Sequence, residues 1–111
     1  MSQPAISPED RYAALVDEFL GQPGVMQGGQ GFGSTGLKIR GKIFAMLVRG
    51  RLVVKLPKAR VDALIAAGDG ARFDPRNDGR LMKEWLVLAP ATEDRWLPLV
   101  QEALAFVGAQ Q

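Results

Sequence analysis

Two stretches of this chain hold side chains whose type and spacing could do chemistry. The first, Gly31-Phe32-Gly33-Ser34-Thr35-Gly36, fits the pattern G-x-G-x-x-G. In a dinucleotide site that spacing follows a strand and opens a helix, whose N-terminal amides hold a pyrophosphate. Here the following residues, Leu37-Lys38-Ile39-Arg40, alternate as a strand, and no βαβ unit surrounds them. A glycine loop of the protein-kinase kind does lie between strands, with Lys55 of Val53-Val54-Lys55 standing for its lysine. The chain's 111 residues are too few for that fold, however, and neither H-R-D nor D-F-G occurs. Two readings remain for the loop. It is a glycine-rich lead-in to the first strand, or a site at Gly31, Phe32, Gly33, Ser34, Thr35 and Gly36 for a small ligand or a second protein.

The second stretch is basic. Residues 1–36 carry a net charge of −3, residues 37–61 carry +8 with no acid, and residues 62–111 carry −3. Lys38, Arg40, Lys42, Arg49, Arg51 and Lys55 lead the block. Such a run can neutralise phosphates, with an affinity that falls steeply in salt. On an alternating strand Lys38 shares a side with Arg40, and Arg51 with Lys55. No aromatic residue is expected on that side, since Phe44 belongs to an apolar run and Phe32 to the glycine loop. The pattern therefore suits duplex phosphates better than a stacking platform for single strands. The same cations would also serve a solvated sheet face that resists edge pairing.

Catalysis finds little support. The chain has no cysteine and no histidine, which removes thiol chemistry, the commonest general base and the favoured ligands of zinc and haem. Ser34 and Thr35 then lack an activating base. A carboxylate enzyme would need Asp74, Asp78 or Glu84 to meet Arg76, Arg80 or Lys83 in a cleft. The expectation is a non-enzymatic domain with no catalytic residues, no metal and no cofactor.

These side chains must be positioned by a single domain, since composition is ordinary for a globule, with 47% hydrophobic and 23% charged residues. No apolar run is long enough for a membrane helix, and Met1 to Pro8 does not read as a signal peptide, so the expected compartment is the cytoplasm. Ser7-Pro8-Glu9-Asp10 opens a helix, with Tyr12, Leu15, Val16, Phe19 and Leu20 at helical spacing. Strands follow at Leu37–Arg40, Ile43–Val48 and Arg51–Leu56, with a tight turn at Arg49-Gly50. Lys58 to Ala67 reads as a helix stopped by Gly68. Two strands come next, Ala71–Asp74 and Glu84–Ala89, around a polar loop. A last helix is capped by Thr92-Glu93-Asp94, with Trp96, Val100, Ala103, Leu104 and Val107 inward. The order α-β-β-β-α-β-β-α, with its short connections, gives an α+β fold with an antiparallel sheet and helices packed against it. Met46, Trp85 and Trp96 are assigned to the core. The domain runs over residues 8–107, between tails at 1–7 and 108–111. Oligomeric state is not written in the pattern.

The stretch from Phe32-Gly33-Ser34-Thr35-Gly36 through Leu37-Lys38-Ile39-Arg40-Gly41-Lys42-Ile43-Phe44-Ala45-Met46-Leu47 resembles the signature of the TfoX N-terminal-like and MmcQ/YjbR-like group of small bacterial proteins. The likeness continues through Leu52-Val53-Val54-Lys55-Leu56, Phe73-Asp74-Pro75, Met82-Lys83-Glu84-Trp85 and the last helix, over about residues 8–107. It implies a YjbR-like fold, with a curved antiparallel sheet and helices packed on it. It implies no catalytic residues. Members are described as candidate DNA-binding proteins, largely by structural analogy. The second, helical domain of full-length TfoX regulators is not in this sequence, so their role in competence gene regulation is not expected to carry over. Residues and resemblance together point to weak duplex-DNA binding without strong sequence preference, through Lys38, Arg40, Lys42, Arg49, Arg51 and Lys55. The alternative is a protein or small-ligand interaction module that uses the 28–36 loop or a sheet edge.

Overall fold

The computed structural model describes residues 7–27, 36–73, 82–89 and 94–109. Its elements are α1 (Pro8–Leu20), β1 (Val25–Gln27), β2 (Leu37–Ile39), β3 (Lys42–Val48), β4 (Arg51–Lys55), α2 (Lys58–Ala66), β5 (Gly70–Phe73), β6 (Met82–Leu88) and α3 (Trp96–Gly108). The strands form one antiparallel sheet in the order β1-β2-β3-β4-β6-β5. The α+β class and the antiparallel sheet stand as read from the sequence, with one strand more. β1 escapes a pattern search because only Val25 of its three residues is buried, too short a run to show alternation.

Local chemistry sets the ends of the helices. The Ser7 side chain accepts the Asp10 amide at 3.1 Å and Pro8 takes the first turn of α1. At the end of α2 the Gly68 amide donates to the Ile65 carbonyl and the Asp69 amide to that of Leu64, the paired bonds of a Schellman stop. The cap expected at Thr92-Glu93-Asp94 falls largely outside the described residues. Arg95 stands at the cap position of α3 without a side-chain capping bond, and Thr92 and Glu93 lie outside the described residues.

All three helices pack on one face of the sheet. α1 lies against β1 and β4, α3 against β2, β3 and β4, and α2 against β5 and β6. Tyr12, Leu15, Val16 and Phe19 of α1 meet Leu37, Phe44, Leu52, Val54, Leu56, Leu86 and the inner side of α3 in one core. The Phe19 and Phe44 rings sit 6.3 Å apart at a tilted 59°. Burial pushes the Tyr12 phenol far above its ordinary range, against the opposing effect of a hydrogen bond with the Leu37 backbone that ties α1 to β2.

A bulge on β3 sets which side chains join this core. Leu37 pairs with Ala45 and Lys38 with Ile43, so Phe44 is the extra residue. Phe44 and Ala45 are consecutive, yet both are buried on the helix side. Beyond them alternation resumes: Met46 turns to the opposite face and Leu47 back toward the helices. The opposite face has its own apolar cluster of Met46, Val53 and Phe73, with Ile43, Val48, Trp85 and Val87 half-buried around it.

At Gly70 the chain runs so close to β6 that a β-carbon would collide with the Val87 carbonyl, which is backbone and cannot swing aside. Gly70→Ala should cost about 2–3 kcal/mol of stability by urea denaturation. Gly21→Ala, whose β-carbon would meet only the Glu18 carbonyl at 3.5 Å, should stay within about 0.5 kcal/mol of the natural chain.

Candidate nucleic-acid interface

Alternation assigns the basic side chains to faces. Leu37 and Ile39 enter the helix-side core, so Lys38 between them points to the opposite face. Leu52 and Val54 of β4 do the same, with Leu56 just beyond its end, which sends Arg51, Val53 and Lys55 away from the helices. Lys38 and Lys55 stand two strand spacings apart, about 10 Å, while Arg51 and Lys55 lie about 13 Å apart along one strand. Lys83, exposed, falls two residues before Trp85 on β6, where the β5–β6 register shifts between Arg72 and Phe73.

Arg40 departs from the expected arrangement. β2 ends at Ile39, and Arg40 is a turn residue rather than a strand neighbour of Lys38. Ile39 pairs with Lys42 and Val48 with Arg51, so two-residue turns join β2 to β3 and β3 to β4. Both turns read Arg-Gly: φ is 53° at Arg40 and 79° at Gly41, then 53° at Arg49 and 76° at Gly50. These are the left-handed pairs of a type I′ hairpin, where Asn-Gly is preferred and arginine is strained. Lys42 opens β3 and is exposed, as are Arg40, Arg49 and Arg51.

Trp85 also corrects the sequence expectation that no aromatic side chain shares the basic face. The Lys55 ammonium lies 5.8 Å from the centre of the Trp85 ring, a cation–π contact. Trp85 sits thirty positions from Lys55, and only the β4–β6 pairing brings them together.

Three acids beyond the basic block are engaged elsewhere. Asp62 accepts from Lys58 at 2.8 Å and from Arg72. Arg60 holds Glu102 with two bonds of 3.0 and 3.1 Å, and Arg95 holds Asp69 with two of 3.0 and 2.6 Å. The Lys58 bond leads in holding the Asp62 carboxyl below its ordinary range, as the Arg95 bond does for Asp69. The same contacts raise Arg60, through Glu102, and Arg95, through Asp69. These pairs join α2 and its exit turn to β5 and α3. Among the described residues none of Lys38, Arg40, Lys42, Arg49, Arg51 and Lys55 has a carboxylate partner. The described strands contain one acid, Glu84, which alternation places on the helix side. An acid does border the β3–β4 turn, where the Glu9 carboxylate lies 3.6 Å from where a β-carbon on Gly50 would sit.

The other candidates gather nothing comparable. Gly31, Phe32, Gly33, Ser34 and Thr35 lie outside the described residues, and Gly36 is a buried residue before β2. Asp74, Arg76, Asp78 and Arg80 are also outside them, and Glu84 and Lys83 occupy opposite faces of β6. No cluster of three potential metal-ligating side chains occurs among the described residues, and none of their helices is long and apolar enough to cross a membrane.

With this arrangement of strands and helices in view, a family comparison gives a single assignment. The model of the TfoX N-terminal domain matches residues 18–107. The chain belongs to the TfoX N-terminal domain family. The match spans every strand and all of α2, and most of α3, and it begins near the end of α1. Comparison with curated proteins and with solved structures returned no match.

The two strained arginines of this TfoX N-terminal domain yield a paired expectation. Arg40→Asn and Arg49→Asn should each raise stability by about 0.5–1 kcal/mol in urea titrations, because asparagine accepts the left-handed turn. A loss of stability in both would show that these arginines make contacts that outweigh the strain.

Proposed function

We propose that this domain is a non-enzymatic DNA-binding module. It holds phosphates weakly and without strong sequence preference, through Lys38, Arg51 and Lys55 on the sheet face away from the helices and through Arg40, Lys42 and Arg49 at the hairpin ends. One observation carries the reading: Asp62, Asp69 and Glu102, which follow the basic block, are taken up by Lys58, Arg60, Arg72 and Arg95, and none of the other six cations is paired with a described carboxylate. A sheet of six strands whose one described acid faces the helices has a positive field on its other side. The family supports a small domain in a group associated with regulating DNA uptake.

A second reading, a protein or small-ligand module, is favoured by one feature. Met26, 66% exposed on the edge strand β1, would suit an added strand from a partner. A complex that survives nuclease treatment would support it.

The DNA reading is tested by fluorescence anisotropy with a generic duplex at low salt. Affinity should fall linearly on a log–log plot against salt, and neutralising Lys38, Arg51 and Lys55 together should reduce that slope by about 3. Absence of binding at low salt would sink the proposal.

A further inference from the structure

Phosphate contact alone leaves part of the basic face unused. Between the cations stand apolar side chains, and the largest is the half-buried Trp85 indole, with the Lys55 ammonium over its ring. Lys38 lies two strands away on β2, and Lys83 lies two residues from Trp85 along β6 itself. In duplex DNA the bases are stacked on one another, so an indole at the protein surface finds no base to stack on. In a single strand every base offers a π-face, and aromatic rings beside a line of cations are the usual means of holding it.

We propose that the Lys55–Trp85 pair is a stacking position for one base of single-stranded DNA, with Lys38, Lys55 and Lys83 holding the phosphates on either side. The proposal rests on the DNA reading above and narrows its ligand. The base takes the place over the Trp85 ring now held by the Lys55 ammonium. The lysine stem is long and flexible, so its charge swings from the ring to the adjoining phosphate and the cation–π contact is exchanged for an ion pair. Two neighbours fix the ring for this role. Lys55 is its direct cross-strand partner, and Val87, two residues along β6, packs in the same cluster. The half-buried Ile43 and Val48 extend the apolar surface across β3, where further bases can lie.

The test uses the full chain, an oligo-dT of about ten residues and a duplex of equal length at one low salt concentration. The expected result is at least about tenfold tighter binding of the single strand, with quenching of tryptophan fluorescence by oligo-dT only. Trp96 is 4% exposed in the helix-side core and supplies a constant background. Trp85→Leu should lose about tenfold for the single strand and nothing for the duplex, while Trp85→Phe, which keeps a ring, should recover most of the loss. Circular dichroism of both variants establishes that they fold. If Trp85→Leu does not fold, the quenching and the Trp85→Phe variant carry the test. Equal affinity for both nucleic acids with no quenching would overturn the stacking site and leave phosphate binding standing. Binding to neither would overturn both.

Discussion

Leu52, Val54 and Leu56 are each withdrawn completely from solvent beneath the helices, and a strand's two-residue period then leaves Arg51, Val53 and Lys55 only the other side. Burying each of the three inner side chains contributes about 2 kcal/mol, so a one-residue slip of β4 would forfeit that and press two cations into the core. Everything assigned to the second face depends on this register. Lys55 reaches Trp85 because β6 pairs with β4 in that frame, and Arg51 emerges beside Val48 for the same reason.

The β3 bulge extends the same frame to β2. By placing Phe44 and Ala45 together in the helix-side core, it lets Phe44 meet Phe19 of α1 while Ile43 stays on the second face beside Lys38. Without the extra residue, Phe44 could not join Ala45 on the helix side. The acids complete the division. Glu102 and Asp69 tie α3 and the Arg95 before it to α2 and its exit turn, and Asp62 ties α2 to Arg72 of β5, whose strand partner Leu86 faces the helices.

Much of this was legible in the residues because it is local. The Ser7-Pro8 start of α1, the Arg49-Gly50 hairpin and the Gly68 stop are properties of a few neighbours, and each lies where the pattern puts it. The alternation of β4 was equally plain. Features that depend on distant pairing were not. β1 is a strand because Ile39 and Leu37 offer it an edge, and no three-residue run reveals that. Arg40 follows Lys38 in an alternating pattern, yet the tight return to Lys42 bends it into a left-handed turn. Trp85 reads as core by type, and half of that is right: it packs on the second cluster and still meets Lys55 at its rim. The expectation of a face without aromatics failed because β6, distant in sequence, is the spatial neighbour of β4.

The central claim is that the sheet face away from the helices meets DNA, and the backbone and indole N–H resonances of the two tryptophans report on it directly. An NMR titration of the labelled chain with oligo-dT should move Lys38, Arg51, Lys55, Lys83 and the Trp85 indole while leaving Trp96 and the helix layer unchanged. Shifts confined to α1 and α3, or equal shifts of both indoles, would contradict the account.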